Sequence, residues 1–417
     1  MISRAAIFTV LVASSAAFAQ RVVTLDEALN TAQKNQPQLR QAQAQTEAAR
    51  ARVDAARSGF LPQVNGNVSY GVGSTRASSA VDPAMGIGLS ANQLIYDFGK
   101  TTGRYHAAQA SAEAQADDQR STLLAVQLNV RVAYFDASAS KALVAVAKET
   151  LANQEKHLQQ IQGFVEVGTR PEIDLAQART DRANARVQLI NAENSYETAK
   201  AQLNQAVGVE GSTDYDVSDV NMPPVDGEDE TTDVLLAEAL RSRPEFASAS
   251  NQVRAQELSI SATRGNYWPT LGASAGANEA GPNPGSLGFA WNGGVTLSWA
   301  IFQGGLTRAN VAEASANLNG LKAQVDALEQ NTRLEVEQAR LAVRAEKASV
   351  DAAGEAATNA RERLKLAEGR YQAGVGSIIE LGDAQLALNA ALGQQVSAQF
   401  NLAAGRARLI KALGRPG

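Results

Sequence analysis

From Phe289 to Ile301 the chain alternates. Phe289, Trp291, Val295, Leu297, Trp299 and Ile301 fall on one parity, with Ala290, Asn292, Thr296 and Ser298 on the other. A period of two is that of a β-strand with one apolar and one polar face. A weaker version occurs earlier, where Val64, Val68, Tyr70 and Val72 alternate with Asn65, Asn67 and Ser69. The pattern predicts two strands in each half, about 61–73 and 85–97, then 268–278 and 288–302. Turn-rich loops, Ser74 to Ala84 and Glu279 to Leu287, join them. Hairpins of a soluble sandwich would also alternate. These strands, however, have the length of about 11 residues that a tilted strand needs to cross a bilayer. Their polar face is small and uncharged, and Tyr70, Tyr96, Trp268, Trp291 and Trp299 gather towards strand ends, as interfacial aromatics do. Four strands cannot close a barrel, and an open edge cannot sit in lipid, so this reading requires oligomerisation.

Outside the strands the pattern is helical. Residues 100–167 and 306–373 contain no proline. In the second stretch Val336, Val343, Val350, Ala357, Leu364 and Tyr371 recur every seventh position, a coiled-coil seam. At about 1.5 Å per residue each long helix would span roughly 100 Å. Shorter helices are expected at about 25–58, 170–207, 233–264 and 377–413, each about half as long. Two of them stacked end to end would match one long helix.

The order of parts repeats. Gly168 in EVGTRPEIDLAQAR aligns with Gly374 in QAGVGSIIELGDAQ, and Asp174 with Glu380. Leu25-Asp26-Glu27-Ala28-Leu29 returns as Leu236-Ala237-Glu238-Ala239-Leu240, and Pro37 as Pro244. Ile95-Tyr96-Asp97-Phe98-Gly99 returns as Ile301-Phe302-Gln303-Gly304-Gly305, and Leu203 to Gly208 as Leu409 to Gly414. The repeats span 20–208 and 233–417. Between them, 209–232 is acidic and turn-rich around Pro223-Pro224 and reads as a mid-height connection. Ahead of them, Arg4, the apolar run Ala5 to Val12 and Ala17-Phe18-Ala19 read as a signal peptide over 1–19.

Composition narrows the function. A net charge of −5 without a basic cluster excludes a nucleic-acid partner. The absence of cysteine removes disulfides, thiolate metal sites and thiol catalysis. The two histidines, His106 and His157, read as surface helix positions. No partnered nucleophile, phosphate-cradling loop or metal spacing occurs, so neither an enzyme nor a cofactor is implied.

Taken in order and twice over, the Leu25 to Leu29 opening with Pro37, the Phe98-Gly99 and Gly304-Gly305 strand exits and the glycine turns resemble the TolC-like outer-membrane efflux protein family. The resemblance covers essentially the whole mature chain. It implies a mixed α and β membrane protein, a homotrimer whose four strands per chain form a twelve-stranded barrel continued by a helical tunnel. It places the barrel in the outer membrane of a Gram-negative bacterium and the helices in the periplasm. It further implies an exit duct for efflux or type I secretion, served by a periplasmic adaptor protein and an inner-membrane pump of the RND, ABC or MFS type. By position it assigns gate roles to Asp174, Glu380, Asp383 and Tyr371. Adaptor docking falls to the turns Val167-Gly168-Thr169 and Gly374-Val375-Gly376. Gly376 stands where family members carry a latching arginine, and Arg170 occupies the equivalent place in the first half. Two of the turn sequences, Thr169-x-x-Glu172 and Ser377-x-x-Glu380, also read as capping boxes. The other reading is a non-conducting periplasmic coiled-coil spacer or surface adhesin.

Overall fold

The computed structural model describes residues 21–73, 82–219 and 222–415. The signal peptide expected over 1–19 and most of the first strand loop lie outside the described residues. In chain order the elements are β1 (Arg21–Val23), α1 (Leu25–Asn35), α2 (Pro37–Arg57), β2 (Gln63–Gly73), β3 (Asp82–Tyr96), α3 (Lys100–Glu166), α4 (Glu172–Val207), β4 (Tyr215–Val217), α5 (Thr232–Ser242), α6 (Pro244–Arg264), β5 (Thr270–Gly281), β6 (Gly288–Ser298), α7 (Leu306–Gln372) and α8 (Ile378–Ala412). From α1 to α4 and again from α5 to α8 the order is helix, helix, strand, strand, long helix, helix. The long helices α3 and α7 have 67 residues each.

The expected helices at 25–58 and 233–264 are each broken in two. Gln36 and Arg243 adopt extended backbone, with ψ near 120° and 125°. Each precedes a proline, whose ring disfavours the helical region for the residue before it. The strand ends also differ from the alternation. Ser58–Phe60 and Gly265–Tyr267 form 3-10 turns, so the first strand of each pair starts later than expected. β6 stops at Ser298 and leaves Trp299 and Ile301 beyond it. Its last partner is Thr270, and the next residue on that side is Pro269, which has no N–H to donate.

Two compact units result. One comprises Asn35–Asn129, Pro223–Ala352 and Asn401–Gly417. It contains an antiparallel sheet in the order β2-β3-β5-β6, in which β3 and β5 pair the two repeats. The register sorts side chains by face, because directly opposed residues share one. Val64 opposes Ala91, Val68 opposes Ile87, Leu89 opposes Ala277, and Ala277 opposes Trp291. That face also carries Tyr70, Phe289, Val295 and Leu297, all exposed. The opposite face is Asn65, Asn67, Ser90, Ser274, Asn292 and Thr296. Both sheet edges, β2 and β6, are unpaired among the described residues.

Each pair leaves the sheet through left-handed backbone, Phe98 and Gly99 in one repeat and Gly304 and Gly305 in the other, with φ of 54°, 85°, 61° and 86°. Buried Asp97 then caps α3, accepting from the Thr101 N–H at 2.7 Å. The helical core of this unit joins Val225, Leu235 and Ala239 to Val336, Val343 and Leu409. At its side buried Glu228 accepts from Arg406 Nε at 3.0 Å and pairs with Lys347 at 2.7 Å. Those partners hold its carboxyl well below the usual range, at about 2, against the opposing effect of burial.

The other unit comprises the segment ending at Lys34, Val130–Met222 and Ala353–Phe400. Here the connection between repeats supplies β4, which pairs in parallel with β1. Neither strand was expected, since three residues are too few to alternate visibly. Tyr134, fully buried, sets its hydroxyl within hydrogen-bond reach of Val23 O, Ser218 O and Ser218 Oγ at 3.1, 3.0 and 2.7 Å and ties the pair to α3. Lys141 holds the same place through Asp216 at 2.9 Å and Val217 O at 2.7 Å.

Candidate functional site

The turns between α3 and α4 and between α7 and α8 have the same construction. Gly168 and Gly374 are left-handed, with φ of 76° and 77°. The Gly168 N–H bonds to Val165 O and the Thr169 N–H to Phe164 O, at 3.0 and 2.9 Å. The Gly374 N–H bonds to Tyr371 O and the Val375 N–H to Arg370 O, at 3.1 and 3.0 Å. Both are Schellman motifs, in which a glycine closes the last carbonyls of a helix. Helix starts differ. Ser377 Oγ accepts from the Glu380 N–H at 3.1 Å, the N-cap half of a capping box, while the Glu380 carboxylate goes to Arg370. The Thr169 hydroxyl instead donates to Phe164 O at 2.9 Å, and α4 has no side-chain cap. The first expected capping box is therefore absent: Pro171 follows the turn directly, is itself the N-cap residue, and takes Thr169 out of reach.

The core below the turns is Ile161, Ala178, Ala357, Leu364, Leu381 and Leu388 with Tyr371. Three candidate residues converge on it. The Arg170 guanidinium lies over the Tyr371 ring at 4.4 Å and donates to Tyr371 O at 3.0 Å. The Tyr371 hydroxyl donates to Asp174 Oδ2 at 3.3 Å. Burial, and then the Asp174 charge, push the Tyr371 hydroxyl up from its ordinary value, partly opposed by Arg170. This cluster joins the turn of one repeat to that of the other.

The remaining acids are apart from it. Glu380 pairs with Arg370 Nε at 3.1 Å, in a shallow groove with Asn359, Glu362, Arg363 and Leu366. Asp383 is exposed in a different and larger groove between α3, α4 and α8, about 740 Å³ in volume. Asp174 and Asp181 line the same groove. Gly376 leaves no space for a side chain, since a Cβ would meet Tyr371 N at 2.9 Å and Arg370 C at 3.0 Å. An arginine at 376 does not fit this turn, and Arg170 is the guanidinium that reaches Tyr371. The docking-turn residues Val167, Gly168, Thr169, Gly374 and Val375 are exposed, while Gly376 is buried.

Sequence reasoning missed Arg370, Asp181, Gln385 and the role of His157. His157 is not a surface position: it is 9% exposed, with Nε2 3.3 Å from Glu368 on α7. The α7 seam ending at Tyr371 was the available signal, because it shows which face of α7 packs inward.

A sheet with one apolar and one polar face, long helices and paired helical hairpins define a channel-forming class of outer-membrane protein. The chain belongs to the outer membrane efflux protein family, whose sequence model matches it twice, over residues 28–209 and 235–415. The toluene efflux pump outer membrane protein TtgF of Pseudomonas putida is 29% identical, covering 93% of this chain and 82% of its own. The outer membrane efflux protein BepC of Brucella suis is 25% identical, over 94% and 85%. Among solved structures, the CmeC outer membrane channel of Campylobacter jejuni superposes with a TM-score of 0.82 at 20% identity, covering 94% of this chain and 85% of that one. The open state of the MtrE outer membrane channel of Neisseria gonorrhoeae gives 0.78 at 21%, over 94% and 89%. The protein is thus an efflux component of the Gram-negative outer membrane, with its helical part in the periplasm. Its family is one of transport components.

Proposed function

We propose that three copies of this chain form a twelve-stranded barrel whose lumen continues into a helical duct, and that the duct performs transport without catalysis. The carrying observation is the sheet, whose apolar face suits lipid while its Asn, Ser and Thr face suits a water-filled lumen. Its unpaired edges need partners of the same kind, since no open edge is stable in hydrocarbon. The duct would receive cargo from an inner-membrane pump of the RND, ABC or MFS type through a periplasmic adaptor docked at the exposed turns around Gly168 and Gly374. The cargo arrives by efflux or type I secretion.

In this reading the tip is the gate. Arg170, Tyr371 and Asp174 tie the two hairpins together and resist opening, and Arg370 neutralises Glu380 beside them. Asp383 is unpaired among the described residues, and three copies would ring the passage with negative charge that favours cations. The test is native mass spectrometry of the detergent-purified protein, followed by single-channel recording in planar bilayers. Three copies and a small cation-selective current that grows in Arg170→Ala are expected. A monomer without current in either form would sink the proposal. Replacing Asp383 and Glu380 together by alanine should lower cation selectivity, and an unchanged selectivity would remove both acids from the gate.

A further inference from the structure

We infer that the groove between α3, α4 and α8 is a binding site for an amphipathic organic cation of drug size. Its volume of about 740 Å³ falls in the range of small-molecule sites, roughly 300–1,000 Å³. Its chemistry is one-sided. Asp174, Asp181 and Asp383 line it, and none of its described lining residues is basic. Among the described residues Asp174 accepts from Tyr371 and Asp181 from Gln177 at 2.9 Å, and neither acid forms an ion pair. Ile173, Val187, Ile379 and Leu386 supply an apolar wall, and each is more than half exposed. An inorganic ion would leave that wall in water. An amphipathic cation covers the wall and meets the carboxylates together.

A second feature is independent of the charges. Gln385, 8% exposed, lines the groove and accepts from Gln154 Nε2 at 2.7 Å through its own Oε1. Its Nε2 has no partner among the described residues. A buried amide donor without an acceptor is costly, and native proteins keep few of them. The nitrogen is enclosed as the side chain stands, so an acceptor on the occupant, such as a carbonyl or ether oxygen, satisfies it once the amide turns outward. The occupant thus needs a cationic centre, an apolar body and one acceptor. This goes beyond the gate reading and does not require it, because it asks only that the groove be open in the assembled protein.

The test is fluorescence anisotropy with the full-length protein in detergent. Rhodamine 6G, a cationic dye with an ester carbonyl, is the probe, and fluorescein is the anionic counterpart of similar size. Saturable binding of rhodamine 6G alone is expected, weakened about tenfold or more when Asp181→Asn and Asp383→Asn are combined. Gln385→Leu should weaken it several-fold. Equal saturation by fluorescein, no saturation by the parent protein, or unchanged affinity in a variant with parental circular dichroism would overturn the inference. Should the double variant misfold, Asp181→Asn alone decides, since an asparagine there can keep the Gln177 bond. Gating is judged by conductance, so a failure here leaves that reading to its own measurement.

Discussion

Gly376 is set by the space around it and Gly374 by its backbone. A side chain at 376 must displace the backbone at Arg370 and Tyr371, whereas at 374 the space is open and the left-handed φ is the obstacle. Gly374→Ala should cost about 1 kcal/mol. Gly376→Ala should cost more, about 1–3 kcal/mol, by overpacking. Thermal unfolding of the two variants would check the order. Glu228 makes a pH prediction. Its folded carboxyl titrates near 2, below the ordinary value of 4.5. A depressed carboxyl contributes stability that is complete above its unfolded pKa and is lost as pH falls through the folded one. Melting temperature should therefore fall between about pH 5 and pH 2. Glu228→Gln should remove about 2 kcal/mol at pH 7 by withdrawing the charge that Arg406 and Lys347 meet, and should flatten that dependence. The glycine turns were legible in the sequence because a left-handed position leaves a glycine behind. The burial of His157 and the pairing of Arg370 with Glu380 were not, because each depends on a partner distant in sequence or across a turn.

Among the elements, the long helices and the strands were readable from period alone. The breaks at Gln36 and Arg243 went unread, although the prolines that follow them were the signal. β1 and β4 were not, for three paired residues are held by tertiary bonds rather than by pattern. Their anchor is Tyr134. Tyr134→Phe should cost about 1–2 kcal/mol, because the buried cluster of Val23 O and Ser218 loses the one hydroxyl it shares. Hydrogen exchange over Arg21–Val23 and Tyr215–Val217 should accelerate with little change in α8. Uniform acceleration would mean that the hydroxyl serves the fold as a whole.

For the whole molecule, the two faces of the sheet make opposite predictions about charge. Val295→Arg places a cation on the apolar face and should cost about 2–4 kcal/mol of folding into vesicles near the bilayer midplane. Asn292→Asp, on the other face, should insert normally and raise the preference for cations. Equal penalties for both would contradict the assignment of faces. The twofold repeat gave the architecture away in the sequence, since both halves match in order. The division into two compact units did not follow from it, because each unit takes segments from both repeats.

The pairing of β3 with β5 has a consequence for ancestry and for assembly. Among the described residues it is where the halves of the sheet meet, and the halves contribute complementary edges, the second strand of one repeat and the first strand of the other. Aligning Ile95 with Ile301 and Pro62 with Pro269 makes Val295 and Tyr70 the counterparts of Leu89 and Ala277, which face each other across that joint. A ring built from this chain would then contain six near-identical joints, three covalently fused and three between neighbours, as a once-separate half-length ancestor would leave after its gene doubled. The protein has no native cysteine, so Val295→Cys with Tyr70→Cys gives a clean reading. Oxidation should link neighbouring copies through that pair and leave either single variant unlinked.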